Sequence, residues 1–222
     1  MDFYWINTHW IIKRLFNNQV WDIPNHENKI YLTFDDGPTP EITEWVLTLL
    51  KKHNIKATFF CIGRNIEKYP EIFRKVIEAG HSIGNHTFSH LLGWKTPTKD
   101  YLENVLQCKS EINKLHPSPK EELAEQTADL LLFRPPYGKI KPSQSKKLRN
   151  LGYKIIMWDV LTADFDQKIS PEKCLENATT KVTSGSVIVF HDSIKASQNL
   201  KYALPKTIEF LKEKGFVFDK II

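Results

Sequence analysis

Two segments about fifty residues apart concentrate the side chains best suited to chemistry. They are Thr33-Phe34-Asp35-Asp36-Gly37-Pro38 and His86-Thr87-Phe88-Ser89-His90. Between them they offer two adjacent carboxylates and two imidazoles at i and i+4. Adjacent side chains on an extended segment point to opposite sides, so at a bending strand end the two aspartates can take different tasks. One can hold a cation while the other faces a water molecule. The alternative for the pair alone is a plain Asp-Gly turn with solvent-facing carboxylates. If 86–90 is helical, both imidazoles lie on one face and can reach one ion. Two histidines and one carboxylate leave coordination positions open, as in catalytic rather than structural zinc sites. Cobalt, manganese and iron also accept such ligands.

Further candidates lie beyond these segments. Arg134 opens Arg134-Pro135-Pro136-Tyr137-Gly138, where two prolines stiffen the turn. Its guanidinium suits a carboxylate, and the Tyr137 N–H suits an oxyanion. His191 closes the apolar run Val187-Ile188-Val189-Phe190 and precedes Asp192. It reads as either a catalytic acid or a satisfied residue at the edge of the core. Asp164 and Asp159 are candidate partners that would raise its pKa.

The elements that must position these groups alternate. Strands are expected near Ile30–Phe34, Ala57–Phe60, Ser82–Gly84, Leu131–Phe133, Ile155–Trp158, Val187–Phe190 and Phe216–Phe218. Helices are expected from Pro40, over Pro70–Ala79, Asp100–Leu115, Ser143–Leu151, Pro171–Val182 and Leu200–Lys214, with a further helix inside the polar stretch 116–130. Seven strands with intervening helices imply βα units and a mainly parallel sheet. Asp35, Asp36, His86, Arg134, Asp159 and His191 all follow strand candidates. Convergence from five strand ends favours a closed sheet over an open one. The expected fold is thus α/β, a distorted seven-stranded (β/α) barrel over 30–222. Residues 1–29 form an N-terminal extension or a helix packed on the barrel.

Composition narrows the partners. Hydrophobic residues make up 41% of the 222, enough for a substantial core. The formal charge of +5 suits an anionic polymer or simply reflects surplus surface lysine; no basic block argues for nucleic acid. Cys61, Cys108 and Cys174 are too few and too scattered for a disulfide framework and read as inert thiols. The first residues lack the pattern of a signal peptide, which points to the cytoplasm. Trp5, Trp10, Ile11, Ile12, Leu15 and Phe16 could line one face of a short helix. Packing on the barrel is the favoured use of that face, and contact with a membrane surface the lesser one.

The ordered motifs resemble those of the polysaccharide deacetylase family, also called the NodB-homology or carbohydrate esterase 4 family. Thr33 to Pro38, His86 to His90 and Arg134 to Gly138 match its first three motifs. Asp164-Phe165 and Val189-Phe190-His191 fall at the fourth and fifth. The resemblance implies that Asp36, His86 and His90 bind one divalent ion, zinc first. Asp35 would be the base, tuned by Arg134, and His191 the acid, tuned by Asp164. Tyr137 would lend its N–H to the oxyanion, and Tyr137, Trp158 and Phe165 would offer aromatic faces to a sugar. Three departures stand out. Phe165 replaces a tryptophan, Val189 replaces a leucine in the acyl pocket, and Leu161 stands where many relatives have aspartate.

The implied activity is N-deacetylation of an N-acetylglucosamine polymer or oligomer such as peptidoglycan or chitin. An O-acetyl esterase, a ring-amide hydrolase and a non-catalytic carbohydrate-binding protein are the alternatives. The family resemblance points to the cell envelope, against the cytoplasmic reading of the first residues. Oligomeric state is not legible.

Overall fold

The computed structural model describes residues 5–116 and 131–222. The helix expected within 116–130 lies outside the described residues except for His116. The sheet has β1 (Lys29–Asp35), β2 (Thr58–Cys61), β3 (Ser82–Asn85), β4 (Leu132–Phe133), β5 (Lys154–Ile155), β6 (Val160–Leu161), β7 (Val187–His191) and β8 (Val217–Asp219). Their order is β5-β4-β3-β2-β1-β7-β6, with β8 paired to β1. Every ladder is parallel. Helices alternate with the strands: α1 (Trp10–Leu15), α2 (Ile42–Lys52), α3 (Gly63–Lys68), α4 (Pro70–Glu78), α5 (Thr98–Leu115), α6 (Pro142–Asn150), α7 (Pro171–Thr179) and α8 (Ser197–Glu213). This is the expected distorted (β/α) fold.

The central strand β1 is buried on both faces beyond its first residue, as its apolar run requires. One core lies outside it, where Phe34 stacks between Phe59 and Phe190 against α2, α4 and α8. Closure differs from expectation. The run expected as one strand, Ile155–Trp158, bends after Ile155. Its first part pairs β4 and the resumed strand β6 pairs β7. No ladder joins β5 to β6, so the sheet is curled but open there, and the chain from Ile156 to Asp159 spans the seam.

The N-terminal extension lies along that seam. Val20 bridges Ile156, and Asn7 bridges Val160. Thr8 Oγ1 donates to Trp158 O at 2.8 Å. Lys13 ion-pairs with Asp22 and with Asp159, the latter at 2.6 Å. These contacts dock the extension. Its apolar face does not take part: α1 buries no residue, and Trp5, Trp10, Ile11, Leu15 and Phe16 are exposed. Of the face expected to pack on the barrel, only Ile12 is half-buried. Among the described residues no helix is long and apolar enough to cross a membrane. All three cysteines are free and buried.

Candidate active site and metal centre

The groups with chemical potential gather at the C-terminal ends of the strands, where parallel βα units leave their loops. Asp35 ends β1 and His191 ends β7, and the two are register partners on adjacent strands. His86 follows β3, Arg134 follows β4 and Asp164 follows β6.

Asp36, His86 and His90 each turn one ligand atom into a common space, with those atoms within 4.8 Å of one another. Asp36 Oδ1 lies 3.7 Å from His86 Nε2 and 3.2 Å from His90 Nε2. The helical reading of 86–90 does not hold. Thr87 and His90 instead adopt φ of 63° and 55°, in the left-handed region. That turn brings the imidazoles to 5.1 Å between ring centroids. His86 Nδ1 meets the Arg134 carbonyl at 2.8 Å, and a carbonyl only accepts. The proton therefore sits on Nδ1, and Nε2 presents its lone pair toward Asp36. Burial pushes the His86 pKa down to about 4, against the raising effect of Asp35 and Asp36, so the ring is a neutral ligand. Burial would raise Asp36, but close contact with His90 and the nearby charge of His191 hold it well below the usual carboxylate range.

These residues fit a divalent ion. Asp36 Oδ1 is buried without a hydrogen-bond partner. An orphaned carboxylate oxygen beside two imidazole nitrogens is a costly arrangement unless a cation completes it.

Asp35 is nearly buried and accepts from Arg134 Nη1 at 2.7 Å. Arg134 is wholly buried and fully engaged. It donates to Thr33 Oγ1 (2.7 Å), Ile156 O (3.1 Å) and Met157 O (2.9 Å), and it lies over the Phe60 ring at 4.1 Å. It is not a surface arginine.

His191 Nδ1 meets Asp164 Oδ1 at 2.8 Å, while Asp164 Oδ2 accepts the His191 backbone N–H at 2.8 Å. Thr162 Oγ1 also donates to Asp164 at 3.1 Å. Burial lowers the His191 pKa, but Asp164, with Asp36 and Asp35, outweighs it and carries the value up to about 9. Asp159 is not a partner of His191, because Lys13 and Ser186 take its two oxygens.

Four further expected residues sit around this centre. The Tyr137 ring is 60% exposed, and its hydroxyl lies 3.1 Å from His90 Nδ1. Its turn has φ of 60° at Tyr137, and the next two N–H groups are taken by Pro135 O and Pro136 O. Phe165 meets the His191 ring edge-on at 4.9 Å. Val189 is buried two residues before His191, on the same side of β7. Trp158 is half-buried against Gly138 and Arg134, so much of its face supports the site from behind.

Sequence reasoning assigned no role to Asp192, Thr33, Thr162 or Asn65, the last of which donates to Asp36 O at 2.7 Å. Thr33 lies inside the first motif and Asp192 directly follows His191, so each carried some signal. Thr162 and Asn65 carried none.

A curled parallel sheet with a His-His-Asp ligand set, a buried Asp35–Arg134 pair and a charged His191 defines a metal-dependent hydrolase. Residues 22–156 match the family profile described as Polysaccharide deacetylase. A peptidoglycan-N-acetylglucosamine deacetylase of Bacillus cereus is 34% identical over 216 residues, 96% of this chain and 73% of that protein. The peptidoglycan-N-acetylmuramic acid deacetylase PdaA of Bacillus subtilis is 31% identical over 201 residues, covering 88% and 70%. The solved Bc1960 peptidoglycan N-acetylglucosamine deacetylase, in complex with 4-naphthalen-1-yl-N-oxidanyl-benzamide, superposes with a TM-score of 0.83 at 33% identity, over 96% and 95%. The chain belongs to the polysaccharide deacetylase family, and its metal-ligand set is that of a metal-dependent deacetylase.

Proposed function

We propose that this enzyme hydrolyses the acetamido group of N-acetylglucosamine units in peptidoglycan, releasing acetate and a free amine. The observation that carries the proposal is the pairing of Asp35 with His191 across β1 and β7, beside Asp36. A base and a charged acid stand next to each other at one strand end, with the ligand set alongside. Asp36, His86 and His90 would hold a divalent ion, which would supply Lewis acidity toward water and the acetyl carbonyl. Zinc is the proposed ion, on the strength of two nitrogen ligands and one oxygen with open positions.

Asp35, oriented by Arg134, takes the proton from the attacking water. The Tyr137 N–H, held in its stiff turn, donates to the oxygen where negative charge develops. His191, kept charged by Asp164, gives its proton to the departing nitrogen. An amine leaves poorly without a proton, whereas an alcohol needs less help, so a charged His191 favours amide over ester cleavage. Tyr137 and Phe165 offer aromatic faces at the rim to the sugar, and Val189 floors the space for the acetyl methyl.

The names of the relatives support peptidoglycan, and the net charge of +5 suits an anionic polymer. The same reading places the enzyme's work at the cell envelope, which fractionation of cells making the native chain would test. The direct assay is acetate release from peptidoglycan, chitooligosaccharides and acetylated xylan, with and without added zinc. Zinc-dependent release from peptidoglycan is expected. Release from xylan alone would overturn the proposal.

A further inference from the structure

The loop that carries Asp36 is held in an unfavourable conformation. Asp36 has φ of 80°, a backbone conformation that favours glycine and is unfavourable for an aspartate. Something in the surrounding structure must impose it. Asp192, wholly buried and 155 residues from Gly37 in sequence, bonds to both neighbours of Asp36. Its backbone N–H donates to Asp35 O at 3.1 Å. Its Oδ1 accepts the Gly37 N–H at 3.0 Å. Its Oδ2 accepts the Thr43 hydroxyl at 2.5 Å, and Thr43 Oγ1 in turn accepts the Thr39 N–H at 2.7 Å. A Cβ on Gly37 would overlap the Asp192 carboxylate, so the residue after Asp36 must be glycine for this contact to form.

We infer that Asp192, braced by Thr43, is a positioning residue that fixes the backbone around Asp36 so that its carboxylate stands ready for the metal. The inference rests on the reading of Asp36 as a metal ligand. A carboxylate suits this task better than an amide, because both of its oxygens accept and both facing groups donate. No cation among the described ion pairs neutralises it, so its role is served by hydrogen bonds rather than by charge pairing.

The test is zinc affinity, measured by chelator competition on the full chain, with turnover measured alongside. Asp192→Asn and Thr43→Val are each expected to weaken zinc binding by about tenfold or more. Thr43→Ser keeps the hydroxyl and is expected to bind as the wild type does. Thr43→Val removes the brace and leaves the Asp192 side chain and its contact with the Gly37 N–H, so a loss in both variants assigns the effect to the hydrogen-bonded positioning of the loop. A loss in Asp192→Asn alone would make it an effect of charge and overturn the inference, as would affinities within twofold of wild type in both. Should Asp192→Asn fail to fold, the Val and Ser variants at Thr43 decide by themselves. Wild-type protein that binds zinc and an Asp36→Ala variant that does not keep the ligand assignment standing whichever way this comparison falls.

Discussion

The site contains two imidazole–carboxylate pairs that do opposite things. His86 faces Asp36 at 3.7 Å, and its pKa falls to about 4. His191 meets Asp164 at 2.8 Å, and its pKa rises to about 9. His86 is buried and His191 largely so, which by itself pushes each toward neutrality. The difference lies in what takes the Nδ1 proton. His86 gives it to a carbonyl, which has no charge with which to hold a second proton on the ring. His191 gives it to a carboxylate that also grips its own backbone N–H. Residue type therefore does not fix charge: the partner at Nδ1 leaves one ring neutral and the other charged.

The most severe way to break this comparison is to remove the first pair's carboxylate. Asp36→Ala should lose stoichiometric zinc even after reconstitution, and turnover should fall to background. Elemental analysis beside an acetate-release assay reads both. Full zinc occupancy in that variant would move the ligand set elsewhere.

Asp35→Asn separates the base from the ligands. It keeps the side-chain shape and one acceptor for Arg134 but cannot take a proton. Turnover should drop about a thousandfold with zinc retained. A near-native rate with metal bound would remove Asp35 from the chemistry.

Asp164→Asn sharpens the comparison by making the second pair resemble the first. The amide cannot hold a charged imidazole, so the His191 pKa should fall. Since His191 must be protonated to act as an acid, activity is lost as pH rises through its pKa. The alkaline limb of the pH–rate profile should move down by more than about one pH unit, and turnover near neutrality by about tenfold. An unmoved limb would mean that another group sets it.

Much of this was legible because parallel strands are apolar on both faces and end in turns. Asp35, Arg134 and His191 each follow such a run, so their strand-end placement could be read from the sequence. The convergence of His86 and His90 could be read, but not its cause. Their spacing suggested a helix, whereas the left-handed turns at Thr87 and His90 are held by tertiary contacts that no propensity encodes. Asp192 and Asp159 show the same limit. One binds Gly37 and the other Lys13, each across well over a hundred residues, and nothing local distinguishes the aspartate that supports the site from the one that anchors the extension. The exposed face of α1 has apolar residues at the spacing of a packed helix, and only the structure shows that no described residue buries them.

The smallest expected effect concerns stability and is best measured on metal-stripped protein. His191 has a folded pKa of about 9 against an ordinary value of 6.5, so the folded state holds its proton more tightly. The stabilisation is fully present below about pH 6.5 and is lost as pH rises through about 9. His86 is depressed rather than raised and adds nothing to this alkaline arm. Allowing for the ring's partial exposure, the arm should amount to on the order of 2 kcal/mol. Urea denaturation of the wild type and of His191→Gln at pH 6 and pH 9.5 would measure it. The wild type should lose more stability than the variant between those two pH values. Equal losses would mean that the Asp164–His191 pair is not charged in the folded state, and the contrast between the two imidazoles would have to be sought in the metal-loaded enzyme alone.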